Sequence, residues 1–364
     1  MLRELVESDE TGEQQSTESA GSFRKALPFV GAFAAGFLLG RRRGGAETAG
    51  GAADFDAEMG DRQTEQPSSM GSVAGEEERQ REREQAAALA DLTAPTTRGM
   101  PMLGLGTYRM DEYDECFESV LSAVETGYRH IDTAEGYDNE AAVGDAIDAA
   151  EVDREELFVA TKVSPDNLDY DQVLTSAEES LERLGLDYAD LLYVHWPSGE
   201  YEATDTLDAF AELRREGLIE EIGVSNFTVE LLEEAVDVSE EPIFANQVEM
   251  HPLLPQTELQ QFCAQDDVDV ELVAYSPIAR GEVDDVDELQ EIAEKHDATP
   301  AQVSLAWLRE KEVTAIPKAT DLDHLRENWG SLDMDLDDED VERIDAIEER
   351  ERLVDPDAAP WNEG

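Results

Sequence analysis

Four side chains of different chemistry lie beside short apolar runs of the sequence: Asp132, Tyr137, Lys162 and His195. A phenol is a weak acid with an ordinary pKa of about 10, and a nearby ammonium favours the phenolate and lowers that pKa. Lys162 could supply this charge, and Asp132 could hold Lys162 by an ion pair. If His195 orients a carbonyl oxygen, Tyr137 can act as a general acid toward that oxygen as it gains negative charge.

This chemistry requires neither a nucleophile nor a metal, and it suits delivery of a hydride from a nicotinamide cofactor to an aldehyde or ketone. Taken singly, each residue has a structural explanation, because a buried Asp often pairs, a Tyr packs and a His fills a core. The low lysine content favours a functional role for the lysines at strand ends. The chain has only five lysines, and two of them, Lys162 and Lys318, follow predicted strands, where an ammonium can titrate or bind phosphate.

The elements that must position these residues form a repeating pattern from residue 100 onward. Eight short apolar runs predict strands, and they are "MLGLGTY", "RHIDTA", "LFVATKV", "DLLYVHW", "EEIGVSNF", "FANQVEM", "ELVAYSP" and "VTAIPKA". Amphipathic stretches between them, such as 115–127 and 205–217, predict helices that end at glycine. Eight β/α units in about 250 residues indicate an α/β protein with the (β/α)8 TIM barrel fold. An open doubly wound sheet is the alternative, but "GLGTYR" lacks the last glycine of its phosphate-binding turn.

In a (β/α)8 barrel the functional side chains lie at the carboxyl ends of the strands, where they face one opening. The polar residues at or just past the predicted strand ends are Asp132, Tyr137, Lys162, His195, Trp196, Ser225, Asn226, Gln247, Tyr275, Ser276 and Lys318. The barrel pattern therefore predicts that residues far apart in sequence share one site.

Residues 1–95 differ in composition from the rest and are expected to form a low-complexity, disordered extension before a barrel domain at 96–364. The apolar segment 26–40 is flanked by basic residues and is short for a membrane span. It could be a short membrane anchor, a hydrophobic interaction segment, or part of a region that is not translated. The charged segment 76–92 is expected to be a helical linker.

The formal net charge is −62, with Asp and Glu spread along the whole chain. This composition is typical of a halophilic, acidic protein that works in molar salt, where the Debye length shrinks to roughly 3 Å. It argues against nucleic acid as a partner. Cys116 and Cys263 are far apart, and no His and Cys cluster has metal-binding spacing, so no metal site is predicted and a cytoplasmic location is expected.

The sequence closely resembles the aldo-keto reductase superfamily from about residue 100 to about residue 350. The matching blocks include "GYRHIDTAEGYDNEAAVGDAI", "SLERLGLDYADLLYVHWP", "NQVEMHPLLPQ" and "IPKATDLDHLRENW", and they occur in the family's order. Within the superfamily, the sequence is similar to the microbial diketogluconate and methylglyoxal reductase branch. The resemblance implies NAD(P)H-dependent reduction of a small carbonyl substrate by a catalytic tetrad of Asp132, Tyr137, Lys162 and His195.

The resemblance also implies the cofactor and substrate contacts. Ser225, Asn226 and Gln247 would hold the nicotinamide carboxamide, and Tyr275 would stack on its ring. The remaining cofactor contacts would be made by Thr107, Ser276, Ile278, Lys318, Ala319, His324, Glu327 and Asn328. Tyr108 and Trp196 would line the substrate pocket.

Two positions depart from the family pattern at the phosphate that distinguishes NADPH from NADH. Ala319 stands where the family usually has Ser or Thr, and His324 stands where it usually has Arg. Arginine gives a permanently charged bidentate grip, whereas histidine offers one donor and titrates. NADPH is still favoured because Lys318 remains, and use of NADH is the alternative.

A second reading of the same residues is a cofactor-bound sensor or accessory subunit, tethered to a membrane partner through residues 26–40. In that case the protein would lie at the inner face of the membrane. The complete tetrad favours catalysis, because a binding module has no use for Tyr137 beside Lys162. The enzyme is expected to be a monomer.

Overall fold

The computed structural model describes residue 89, residues 91–265 and residues 268–362. The apolar segment 26–40, and all but the end of the charged segment 76–92, lie outside the described residues. Within the described part, no helix has the length and apolar character needed to cross a membrane. The division into 1–95 and 96–364 stays a prediction.

Ten strands occur in the described residues, and eight of them form one parallel sheet in sequence order. A short antiparallel hairpin comes first, with β1 at Thr96–Thr97 and β2 at Met100–Pro101. The parallel strands are β3 Leu105–Gly106, β4 His130–Asp132, β5 Phe158–Val163, β6 Ala189–Val194, β7 Ile219–Ser225, β8 Ile243–Glu249, β9 Glu271–Tyr275 and β10 Thr314–Ala315. Each coincides with one of the eight apolar runs.

The sheet closes on itself beside β3. Leu103 forms a parallel bridge with Ala315 of β10. The Gly104 N–H donates to the Ala315 carbonyl over 2.9 Å, and the Ala315 N–H donates to the Met102 carbonyl over 2.9 Å. These bonds join the last strand to the first, so the predicted (β/α)8 barrel is confirmed and the open-sheet alternative is rejected.

Ten α-helices lie within residues 91–265 and 268–362, and most of them follow a strand of the barrel. They are α1 Tyr113–Thr126, α2 Glu140–Ala149, α3 Tyr170–Leu184, α4 Ala203–Glu216, α5 Val229–Val238, α6 Thr257–Cys263, α7 Asp287–His296, α8 Pro300–Glu310, α9 Leu322–Gly330 and α10 Asp338–Asp345. The two helices predicted at 115–127 and 205–217 are α1 and α4. Each ends before a glycine with positive φ, at Gly127 and Gly217, which caps the last turn.

The barrel has two apolar layers. The larger one lies between strands and helices, and the smaller one fills the barrel interior. The interior layer includes Met100 of the hairpin, Leu191 and Tyr193 of β6, and Phe244 of β8. Packing inside proteins is as dense as in organic crystals, so this layer is a rigid support for the side chains at the strand ends.

Candidate active site

A cavity of about 770 Å³ opens at the carboxyl ends of the barrel strands. Its wall includes three of the four predicted catalytic residues, both predicted substrate contacts and ten of the twelve predicted cofactor contacts. These are Asp132, Tyr137, His195, Tyr108, Trp196, Ser225, Asn226, Gln247, Tyr275, Ser276, Ile278, Lys318, His324, Glu327 and Asn328. The structure thus brings together residues as far apart in the chain as Tyr108 and Asn328.

Lys162 and Asp132 form a buried ion pair at this end of the barrel. The Lys162 Nζ donates to Asp132 Oδ1 over 2.5 Å and to the Thr133 carbonyl over 2.8 Å. The second carboxylate oxygen, Oδ2, accepts the Gln247 Nε2 over 2.7 Å. Burial lowers the pKa of Lys162, and the charge of Asp132 opposes that effect. Asp132 is therefore needed at the end of β4 as the counter-ion of a buried ammonium.

Tyr137 ends a short 3₁₀ helix, Glu135–Tyr137, that follows β4. Its ring centre lies 5.1 Å from the Lys162 Nζ and 5.5 Å from the centre of the His195 ring. The sequence suggests that Lys162 could lower the pKa of Tyr137, but that pKa moves in the opposite direction. Burial and then the Asp132 carboxylate raise that pKa well above its ordinary value. The charge of the Lys162 ammonium is balanced by Asp132, and the phenol stays protonated and can donate.

His195 follows β6 directly and faces the same cavity. Its backbone is tied to the neighbouring strands, since its N–H donates to the Val163 carbonyl over 3.1 Å and its carbonyl accepts the Asn226 Nδ2 over 3.0 Å. Burial, and then the charge of Lys162, lower the pKa of His195 to about 3. The imidazole is thus neutral near pH 7 and can hydrogen-bond to a substrate oxygen without carrying charge.

This depressed pKa makes a prediction about acid stability. The folded-state pKa of His195, about 3, lies below its ordinary value of 6.5, so the unfolded chain binds more protons between these values. The contribution of the neutral imidazole to stability is complete above pH 6.5 and is lost as pH falls toward 3. We expect His195→Gln to flatten this part of the dependence of the unfolding free energy on pH, measured by denaturant titration. His324→Gln, at an exposed histidine, is the control; an equal flattening there would contradict the assignment to His195.

An interlocked set of hydroxyl and amide groups lies beside His195. The Ser225 hydroxyl donates to the Gln247 carbonyl over 2.8 Å, and the Asn226 Nδ2 donates to the Ser225 hydroxyl over 3.1 Å. The Tyr275 hydroxyl donates to Asn226 Oδ1 over 2.8 Å. Asn226 and Ser276 adopt left-handed φ values of 65° and 49°, which are sparse for residues other than glycine and cluster at functional sites.

The cavity wall also carries polar and charged side chains from the loop after β10 and from α9. Lys318, His324, Glu327 and Asn328 line it, and the Lys318 Nζ donates to the Arg109 carbonyl over 2.8 Å. Two predicted cofactor contacts, Thr107 and Ala319, are buried behind the wall and do not line it. The Thr107 hydroxyl is used internally, since it donates to the Asp132 carbonyl over 3.1 Å.

Several residues of the cavity wall were not predicted from the sequence. Arg109, Arg280, Gly281, Asp284 and Val354 all line it. Arg280 and Gly281 have φ values of 54° and 97° in the segment after β9, so the chain turns sharply there. The "RG" dipeptide was the available signal, since glycine favours this conformation. No local sequence signal predicts that Val354 lines the cavity, because its position depends on a contact with Glu249, about 100 residues earlier in the chain.

Those contacts attach the chain end to the barrel through Glu249. Glu249 Oε1 accepts the Leu353 N–H over 2.7 Å, and Oε2 accepts the Val354 N–H over 2.9 Å. The chain continues to Trp361, whose ring centre lies 5.8 Å from that of Trp196. We call residues 351–362 the C-terminal segment. Val354 of this segment forms part of the cavity wall.

The residues present fit a nicotinamide dinucleotide. The amide and hydroxyl groups of the cavity wall match a carboxamide, and the Lys318 ammonium matches a phosphate group. Ser225, Asn226 and Gln247 would hold the nicotinamide end, and Lys318 and His324 would lie toward the phosphate of the adenosine. Tyr137 and His195 line the same cavity as these amide and hydroxyl groups.

A model of the aldo/keto reductase family matches residues 102–349. This chain belongs to that family. It is 42% identical over 254 residues to glyoxal reductase of Bacillus subtilis, covering 70% of this chain and 91% of that protein. It is 40% identical over 268 residues to methylglyoxal reductase DkgB of Escherichia coli O157:H7, covering 72% and 99%. These relatives confirm the predicted branch.

Solved structures of aldo/keto reductases share the fold. The crystal structure of an aldo-keto reductase from a Medee basin deep-sea metagenome library is 37% identical, with a TM-score of 0.67. The match covers 70% of this chain and 94% of that one. As a member of this family, the chain is an oxidoreductase that acts on carbonyl compounds.

Proposed function

We propose that this aldo/keto reductase reduces small aldehydes, ketones or dicarbonyl compounds to alcohols, with NADPH favoured as the cofactor and Tyr137 as the general acid. The observation that carries the proposal is the buried ion pair of Asp132 and Lys162 behind Tyr137, with His195 facing the same cavity. Two of the relatives are named glyoxal and methylglyoxal reductases, which supports a small dicarbonyl as substrate here.

In this mechanism the residues of the chain bind and orient the carbonyl group and move one proton. The nicotinamide, when bound, supplies the hydride. His195, as a neutral imidazole, donates a hydrogen bond to the carbonyl oxygen, and Tyr137 gives its phenolic proton to that oxygen. The raised pKa of Tyr137 keeps this proton in place until charge develops on the oxygen. Lys162 then stabilises the phenolate that remains, and Asp132 keeps Lys162 in place.

The aromatic wall of the cavity supports small, planar substrates. Tyr108 and Trp196 line the cavity with the tetrad, and the Tyr108 ring centre lies 5.1 Å from that of Tyr137. Trp361 of the C-terminal segment lies beside Trp196. Aromatic side chains keep water from a reacting group, and this strengthens the hydrogen bonds that polarise the carbonyl group.

The test is an assay of the purified full chain in molar KCl with methylglyoxal, in which loss of absorbance of NADPH and then of NADH is followed. We expect methylglyoxal-dependent oxidation that is faster with NADPH. If the protein binds NADPH but oxidises it with neither methylglyoxal nor an aromatic aldehyde, the proposed enzymatic activity is contradicted and the sensor alternative is supported. Repeating the assay after removal of residues 1–95 tests whether the barrel alone carries the activity.

His324→Arg should raise the ratio of kcat/KM for NADPH to kcat/KM for NADH by about five- to tenfold. His324 and Lys318 are both exposed and both line the cavity, and an arginine at 324 would add a permanent charge and a bidentate grip on phosphate. The measurement is steady-state kinetics with both cofactors at fixed carbonyl concentration.

The matched control is His324→Gln, which keeps a donor but no charge and should not raise the ratio. If His324→Arg leaves the ratio unchanged, His324 lies away from the cofactor phosphate.

A further inference from the structure

Besides Tyr137, a second aromatic ring faces Lys162 inside the barrel. Tyr193 of β6 is the register partner of Lys162 on β5. The Lys162 Nζ lies 5.7 Å from the centre of the Tyr193 ring and 5.1 Å from that of Tyr137. Tyr193 lies two residues before His195, so both side chains point to the same face of the strand, the barrel interior. The ammonium is thus near two tyrosine rings.

The position of the Tyr193 ring is fixed by its other neighbour. Gly223 of β7 is the register partner of Tyr193 on that side. A Cβ added at Gly223 would lie 2.6 Å from Tyr193 Cε1, far inside van der Waals contact. The ring therefore lies against the bare backbone of Gly223, in space that no other residue type would leave free.

The hydroxyl group of Tyr193 does not explain why a tyrosine stands here. It is buried and has no partner with hydrogen-bond geometry. Gln247 lies near enough to affect it, but the Gln247 Nε2 is used by Asp132. Burial and the Asp132 charge raise the pKa of Tyr193 well above its ordinary value, so the side chain is neutral. Its contact with Lys162 is made by the ring.

The ammonium of Lys162 has one N–H left over for the rings. An ammonium has three N–H donors, and here two of them bond to Asp132 and to the Thr133 carbonyl. A buried cation whose remaining donor lacks an acceptor is costly, and an aromatic face within about 6 Å attracts it. Two faces meet this condition.

We propose that Tyr193 is a positioning residue that keeps Lys162 in its charged ammonium form by presenting a ring face to it. The inference rests on the proposed function, in which that ammonium stabilises the Tyr137 phenolate. Other titratable groups face or influence Lys162 from neighbouring elements, and they are Asp132, Tyr137, Glu140, His130 and His195. Tyr193 differs from the carboxylates in this group because it stabilises the charge without carrying one.

The direct test measures the titration of Lys162 in the full chain without cofactor. Lysine labelled with ¹³C at Cε gives at most five signals, because the chain has five lysines. Lys→Arg substitution of each of the other four identifies the signal of Lys162. We expect Tyr193→Leu to lower the pKa of Lys162 by about one unit and Tyr193→Phe, which keeps the ring, to change it by less than about 0.3 units. Tyr193→Met fills similar space without a ring and takes the place of Tyr193→Leu if that variant does not fold.

The same variants have a kinetic signature. In Tyr193→Leu the alkaline limb of the kcat profile should move to lower pH by the same amount, with kcat on the neutral side retained. A uniform fall of kcat at every pH, with the Lys162 titration unmoved, would show a purely structural role and overturn the inference. If the parent does not oxidise NADPH, the proposed function fails, yet the titration still decides whether Tyr193 holds the charge.

Discussion

Tyr137→Phe should lower kcat for carbonyl reduction by about three orders of magnitude while leaving NADPH binding within about twofold. The substitution removes one oxygen atom and keeps the ring that packs against His195 and Tyr108. The proton for the developing alkoxide then has no donor at the site, because His195 is neutral and Lys162 is engaged by Asp132. Stopped-flow measurement of NADPH oxidation, with binding followed by fluorescence, checks both parts.

The matched control is Tyr108→Phe, which removes the hydroxyl of the neighbouring ring in the same cavity. It should change KM more than kcat, and by far less than the loss in Tyr137→Phe. A Tyr137→Phe variant that retains a tenth or more of the parent kcat would mean that another group, or water, delivers the proton.

The second large effect is expected for Lys162→Met, which should both stop turnover and destabilise the fold. Lys162 and Asp132 are almost wholly buried, so removing the cation leaves a carboxylate without a counter-ion. Breaking a buried ion pair from one side typically costs about 3–5 kcal/mol of unfolding free energy. We expect a loss of this size in denaturant titration, together with a fall in kcat of at least about a hundredfold.

The double variant Lys162→Met/Asp132→Asn separates the two effects. Removing both charges leaves no uncompensated ion, so most of the stability should return while kcat stays low. If kcat recovers with stability, Lys162 acts through the fold alone. If neither single nor double variant loses kcat, the role proposed for Lys162 in stabilising the Tyr137 phenolate is wrong.

The fold was predictable from the sequence to the level of each strand, because apolar runs and helical stretches alternate regularly. The hairpin at Thr96–Pro101 was not predicted, because its strands are two residues each and its only sequence signal is the "RG" turn. For the site, the rule that functional residues follow barrel strands located Tyr137, Lys162 and His195 together. Both conclusions rest on local patterns.

What the sequence could not supply depends on burial and on distant contacts. The sequence did not predict that the pKa of Tyr137 is raised, because the desolvation of a side chain depends on the whole barrel around it. In the sequence, Tyr193 is one of several apolar residues in "DLLYVHW". Only the strand register shows that its ring lies beside the Lys162 ammonium. The tie from Glu249 to Leu353 joins residues 104 positions apart, which no local pattern reveals.

That tie has a consequence for how substrate preference can change. The C-terminal segment forms part of the cavity wall, and it is attached at backbone N–H groups, which every residue except proline possesses. Leu353 and Val354 can therefore change their side chains without loss of these two hydrogen bonds. Val354 lines the cavity, so a substitution there would alter the wall while the proposed catalytic groups stay in place. The backbone attachment thus separates a position that can vary from the groups that are proposed to react.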